Sequence, residues 1–260
     1  MTENVIFCFS GTGNCLDLAK TIASGLGDTD IIMLRKDPAV TDVTYAKRVG
    51  FVFPCHGGGL PVGLEEKFKM LRVSPEAYTF GVSQSASYVG IGLSKLNSVI
   101  PLDFWAATTH QCSCIWLFPH TMMLPPMSAG KAQHRSEETG RLIAAQVLSG
   151  KTLKGEPPRA MLNVLESAAW GKLAAMKAKS LAADDRCVAC GQCEMLCPNG
   201  NITIVNGRPS FGASCIQCLS CLQYCPQEAI SMGAVTQKRE HYVNPKVSVG
   251  ELTSGVIHID

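Results

Sequence analysis

The sequence predicts an α/β protein: a doubly wound parallel sheet over the N-terminal half, followed by a small C-terminal α+β unit. Three observations predict it. The chain opens on an apolar stretch, a glycine-rich turn and a one-sided helical segment. Two further apolar stretches, residues 49–54 and 78–83, each run into a loop of small residues ahead of a helical segment. Near the C-terminus a run of cysteines occurs twice, 28 residues apart. With 260 residues, 46% of them hydrophobic and 17% charged, the chain is globular and long enough for a medium domain with a small one attached. The expected division is a sheet domain at 1–155, a helical connector at 156–181, a cysteine-rich domain at 182–235 and a tail at 236–260.

Residues 4–10 (NVIFCFS) are apolar except at their ends and read as a buried strand. Ser10-Gly11-Thr12-Gly13-Asn14-Cys15 follows, and then Leu16, Leu18, Ala19, Ile22 and Leu26 recur at helical spacing. A strand, a glycine loop and a helix in that order aim backbone N–H groups and hydroxyls at the helix N-terminus, where the helix dipole favours an anion. The loop has neither the GxGxxG spacing of a dinucleotide site nor the Gly-Lys-Ser/Thr of a P-loop, and a glycine turn of this kind also serves purely structural ends. The later strands end in Cys55-His56-Gly57-Gly58-Gly59-Leu60-Pro61 and in the loop over residues 84–90, which carries Tyr88. A doubly wound sheet lines such loops along one edge. His56 reads either as a solvated loop residue or as a proton donor, and Tyr88 as a half-buried surface residue or a stacking partner.

Cys8 falls inside the first strand, and Cys112 and Cys114 alternate along an apparent fifth strand near residues 115–118, as small buried hydrophobes do. Cys55 differs, since a thiol in that loop could meet substrate or oxidant. Residues 101–130 read as irregular, with Pro101, Pro119, Pro125 and Pro126 beside Met122, Met123 and Met127. Residues 131–149 read as helix. Beyond Gly155-Glu156-Pro157-Pro158, the stripe Leu162, Leu165, Ala169, Leu173 and Met176 reads as a second helix that docks the two domains together.

The repeated run is Cys187-x2-Cys190-x2-Cys193-x3-Cys197-Pro198, which recurs as Cys215-x2-Cys218-x2-Cys221-x3-Cys225-Pro226. Ile202 and Ile230 keep the same shift, so a whole structural unit is duplicated and not only its thiols. Three cysteines on one tight loop can point their sulfurs at three irons of a cube, and the fourth must come from elsewhere. Zinc needs only two CxxC pairs and leaves the third and fourth cysteines unexplained; a disulfide framework explains the spacing no better. A formal charge of +2 with scattered Lys and Arg gives no reason to invoke nucleic acid. No apolar run approaches the roughly 18 to 20 residues of a membrane span, and the N-terminus has no basic and apolar leader pattern, so a cytoplasmic protein without a membrane span is expected.

The segment FSGTGN resembles the FMN-phosphate loop of flavodoxins, with Cys15 where flavodoxins commonly carry threonine or serine. The resemblance implies a sheet in the order 2-1-3-4-5 with FMN at the carboxyl ends of strands 1 and 3. It implies phosphate contacts from Ser10, Gly11, Thr12, Gly13, Asn14 and Cys15. Flavin-ring contacts are implied from Pro54, Cys55, His56, Gly57 and Gly58, and from Ser83, Ser85, Ala86, Ser87, Tyr88 and Gly90. The glycine loop carries no Trp or Tyr, which implies that one ring face stands open. The duplicated run resembles bacterial two-cluster ferredoxins, in which the last cysteine of each run ligates the other cluster. That implies one 4Fe-4S cluster on Cys187, Cys190, Cys193 and Cys225, and a second on Cys215, Cys218, Cys221 and Cys197. Together the two motifs resemble the ferredoxin–flavodoxin fusion proteins of anaerobes. The resemblance implies an electron carrier working between a reductase or ferredoxin and an anaerobic oxidoreductase. The alternatives are an FMN-dependent reductase of a small-molecule substrate, fed by its own clusters, and a redox-sensing regulator.

Overall fold

The computed structural model describes residues 2–88, 90–118 and 127–260; Pro119, Met122, Met123, Pro125 and Pro126 of the expected irregular stretch lie outside the described residues. In chain order the elements are β1 (Asn4–Cys8), α1 (Asn14–Leu26), β2 (Thr29–Met33), β3 (Arg48–Pro54), α2 (Leu64–Lys69), β4 (Tyr78–Ser85), α3 (Gly92–Val99), β5 (Phe104–Thr109), α4 (Ala129–Leu148) and α5 (Met161–Ala178). The C-terminal part adds β6 (Leu181–Ala183), α6 (Gln192–Leu196), β7 (Ile202–Val205), β8 (Arg208–Phe211), α7 (Ser220–Gln223), β9 (Ile230–Met232), α8 (Ala234–Gln237), α9 (Val249–Thr253) and β10 (Val256–Ile259).

Five parallel strands form the sheet in the order β2-β1-β3-β4-β5, and β10 adds an antiparallel strand at the β2 edge. This is the flavodoxin-like order expected from the sequence. Strand β1 is buried on both sides, which is why its sequence is a continuous apolar run rather than an alternation. Val5 and Phe7 enter a core with Phe51, Phe68 and Leu93 on the α2/α3 side. Ile6 and Cys8 enter a second core with Leu16 and Ile22 of α1 and Ile143 and Val147 of α4.

Three expectations are corrected. Strand β5 lies at Phe104–Thr109, upstream of the expected position, and residues 115–117 form a turn, so Cys112 and Cys114 sit in the loop that follows the strand. The sequence FWAATT carries small residues on both faces and no clear alternation, which hid it. The apolar stripe of α5 does not dock the domains: Leu162, Leu165 and Met176 are 76%, 64% and 64% exposed, and Ala169 and Leu173 are also exposed. The inward face is instead Ser167, Trp170 and Ala174, the last fully buried. Finally, residues 236–260 are not a separate tail. They return to the sheet as β10, and α9 carries a Ser248/Glu251 capping box whose Glu251 also pairs with Lys20 of α1 at 2.5 Å.

The duplication seen in the cysteine runs extends to the backbone. Ala189, Gly191 and Gly200 adopt left-handed φ of 55°, 76° and 60°, and 28 residues later Gln217, Leu219 and Glu228 repeat this at 60°, 62° and 47°. Helix α6 corresponds to α7, and β7 and β9 begin at the equivalent Ile202 and Ile230. Two antiparallel ribbons, β6–β9 and β7–β8, frame these loops. A third core of Trp116, Leu181, Leu219, Leu222 and Met232 joins them to the turn after β5.

Candidate functional site

The loop between β1 and α1 is enclosed. Ser10, Thr12 and Asn14 are all buried. Gly13, at φ 96°, caps α1 and donates its N–H to Ser10 Oγ at 3.2 Å. A Cβ at Gly13 would press on Asn244 and Val247, and one at Gly11 would overlap the Cys218 carbonyl, so these glycines let two other segments close on the loop. The Thr12 carbonyl accepts the Asn244 N–H at 2.8 Å. Asn14 Oδ1 accepts from Tyr242 Oη at 2.8 Å and Asn244 Nδ2 at 3.1 Å, leaving its own amide N–H groups to offer. The departure at Cys15 is accommodated by Gln84, whose Oε1 lies 3.6 Å from Cys15 Sγ.

Beside the loop lies a cleft of about 160 Å³ at the carboxyl edge of β1, β3, β4 and β5, several times the volume that one water needs and so able to admit an organic ring system. The structure brings Ser10, Gly11, Thr12, Asn14, Cys15, Pro54, Cys55, His56, Gly57, Gly58, Ser85, Ala86, Ser87 and Tyr88 together around it. It leaves out three expected contacts. Gly13 turns toward Asn244. Ser83 is buried within β4, short of the carboxyl end of the strand where Gln84 and Ser85 line the cleft. Gly90 packs on the Gly58 carbonyl.

Missed lining residues include His110 and Gln111 after β5, Glu166 and Trp170 from α5, and Gln217 and Leu219 from the second cysteine loop; nothing local to these segments points to the cleft, which they reach only through the tertiary fold. The glycine loop, which has no aromatic of its own, meets one from α5 in Trp170. A Cβ at Gly57 would collide with its indole, so the glycines of this loop admit a helix that brings the aromatic the loop lacks. Trp170 also stacks on Trp116, ring centroids 5.5 Å apart. Tyr88 donates its hydroxyl to Glu166 at the rim.

Four enclosed polar atoms of the lining have no partner among the described residues: His56 Nδ1, Gln111 Oε1, Trp170 Nε1 and Gln217 Oε1. Buried polar atoms are normally paired, so this set of donors and acceptors fits a flat ligand that carries both. Burial pushes His56 down to about 4, so it is neutral near pH 7 rather than a solvated cation. Burial likewise pushes the Cys55 thiol up to about 11, which keeps it protonated and a poor nucleophile.

The eight cysteines of the repeat line two separate cavities. Cys187, Cys190, Cys193 and Cys225 share the first with Ile204 and Ile230. Cys215, Cys218, Cys221 and Cys197 share the second with Leu181, Ile202 and Met232. The fourth cysteine of each run thus stands with the three of the other run. Both crossing sulfurs accept an N–H from the residue four positions on, Asn201 to Cys197 at 3.1 Å and Ala229 to Cys225 at 3.3 Å. Four thiols in an apolar pocket with N–H donors to sulfur form a donor set suited to an iron–sulfur cluster. Among the described residues, no three His, Cys, Asp or Glu side chains close on a single-ion site. Burial pushes the Cys218 thiol up to about 11 and Cys221 well above its ordinary value, so metal ligation by these thiols would have to displace their protons. Arg35 ties this unit to the sheet, donating to the carbonyls of Met195 (2.6 Å), Cys197 (3.3 Å) and Leu252 (3.1 Å).

Residues 184–203 match the 4Fe-4S binding domain family. This match contains the first cysteine run and, with the fold, supports a redox role. No curated protein matches the chain. Among solved structures, the chain is similar to the flavodiiron core of Flv1 from Synechocystis sp. PCC6803, at 14% identity over 58% of this chain with a TM-score of 0.38. It spans 37% of that protein's length. It is also similar to an FMN-dependent NADH-azoreductase from Bacillus anthracis in complex with FMN, at 7% identity over 56% of this chain and 99% of the other, TM-score 0.38. No helix among the described residues is long and apolar enough to cross a membrane.

Proposed function

We propose that the chain is a ferredoxin–flavodoxin fusion protein that relays electrons between two 4Fe-4S clusters, one FMN and a redox partner protein. The observation that carries this is a shared wall. Cys218 and Leu219 line both the second cysteine cavity and the cleft beside the Ser10–Asn14 loop, and Ser220 Oγ donates to the Gly11 carbonyl at 2.8 Å. Ser10, Thr12 and Asn14 would hold the FMN phosphate, and Trp170, His56 and Tyr88 would bound its ring. The crossed sets Cys187/Cys190/Cys193/Cys225 and Cys215/Cys218/Cys221/Cys197 would hold the clusters. When bound, FMN exchanges one or two electrons and each cluster one, so the set can join one-electron to two-electron partners. The first cysteine loop faces outward, with Cys190 exposed and Val188 61% exposed, and is the face on which a partner would deliver or collect electrons. A second reading, an FMN-dependent reductase of a small molecule, is favoured by the Tyr88 hydroxyl at the cleft rim, which burial and Glu166 keep protonated. Anaerobically isolated protein should contain about eight irons, eight acid-labile sulfides and one FMN per chain. Zinc without sulfide would refute the clusters, and a flavin-free chain that takes up no FMN would refute the flavin.

A further inference from the structure

The two cysteine loops share a backbone and differ in side chains at the positions that matter for the cleft. In the first loop the two left-handed positions around Cys190 hold Ala189 and Gly191, small residues at the outer surface. In the second loop the equivalent positions hold Gln217 and Leu219, at φ 60° and 62°. A left-handed backbone is strained for a residue with a side chain, so the second loop keeps two residues that its own fold does not favour. Both are buried, at 4% exposure each, and both line the cleft. Gln217 Nε2 donates to the Ala174 carbonyl of α5 at 2.9 Å, which fixes the carboxamide. Its Oε1 is enclosed with no partner among the described residues. A fixed, buried acceptor without a donor is costly, and what the site lacks is an N–H from a ligand.

We propose that the second cysteine loop is a wall of the flavin site, with Gln217 Oε1 accepting an N–H of the isoalloxazine and Leu219 packing on the ring. This rests on the FMN reading above. Oxidised isoalloxazine has a single ring N–H, on its pyrimidine edge, so Gln217 reads the ring while Thr12 reads the phosphate. The loop that holds three thiols of one cavity therefore also recognises the other cofactor.

The test exchanges the second loop's residues for those of the first: Gln217→Ala and Leu219→Gly. Ala189 and Gly191 already occupy these backbone conformations, and in Leu219→Gly the relief of backbone strain offsets part of the core packing lost, so both variants should fold. Anaerobic equilibrium titrations with FMN and with riboflavin, alongside iron counts, decide the matter. Each variant should keep its full iron content and bind both ligands about tenfold more weakly, by the same factor. A purely structural role for Leu219, which lies in the third core, predicts lower thermal stability with unchanged flavin affinity. Riboflavin binding as tight as in the unmutated protein, with full iron, would overturn the inference. Failure of the unmutated protein to bind either flavin would overturn the FMN reading, and this inference with it.

Discussion

Asn14 and Thr12 of the β1–α1 loop differ in how far the fold already engages their side chains. The Asn14 oxygen is taken by Tyr242 and Asn244, while Thr12 has a buried hydroxyl free of that network and next to the cleft. Thr12→Ala should therefore weaken FMN by about 1 to 3 kcal/mol, the worth of a charge-assisted hydrogen bond, and leave riboflavin binding unchanged. Parallel fluorescence titrations check this, and equal loss of both ligands would show that the loop does not read phosphate. His56 gives a prediction in pH. Its folded value of about 4 lies below the ordinary 6.5, so as pH falls the unfolded chain takes up the proton first. Stability is then lost from about pH 6.5 down to about pH 4, by about 2 kcal/mol at pH 5. Denaturant midpoints at pH 7 and pH 5 should fall further apart in the unmutated protein than in His56→Gln. The loop and its histidine were legible from FSGTGN and from the position after a strand. Tyr242 and Asn244 were not, because they reach the loop from more than 220 residues away and carry no motif.

Among the elements, α5 is where the sequence misled. A one-sided apolar stripe ordinarily marks the buried face, yet here the buried face is the one with Ser167, Trp170 and Ala174. The reason lies in what it meets: Gly57, Gly58 and Gly59 form a flat backbone surface that Trp170, Glu166 and Ser167 cover, and small or polar residues fit close backbone contact better than leucine. Ala174→Asp, which buries a charge beside Gln217, should lower the stability of the cluster-loaded protein by several kcal/mol. Leu165→Asp, on the exposed stripe, should change it by less than about 0.5 kcal/mol. Thermal unfolding distinguishes them, and a larger loss for Leu165→Asp would mean that the stripe is buried after all. The cysteine loops, by contrast, were legible in their spacing, since the 28-residue repeat carries over to the left-handed turns of the backbone, while the grouping of the thiols into two cavities followed only from the resemblance to two-cluster ferredoxins. The edge strand β10 was not legible, because four residues alternating about His258 fit many tails equally well.

For the whole molecule, the sheet order and the separate cysteine unit could be read in advance, whereas their contact could not. It depends on pairs distant in sequence: Gly11 with Cys218, Gln217 with Ala174, Arg35 with Cys197. These contacts put the second cysteine cavity and the cleft on opposite sides of one loop, the arrangement on which the proposed transfer within one chain rests. The most direct test is to reduce the clusters rapidly under anaerobic conditions and follow the flavin absorbance over a tenfold range of protein concentration. Transfer within the molecule predicts a first-order rate constant that stays the same across that range. A rate constant that rises in proportion to protein concentration would mean that electrons pass between molecules, and would contradict the shared wall as the route.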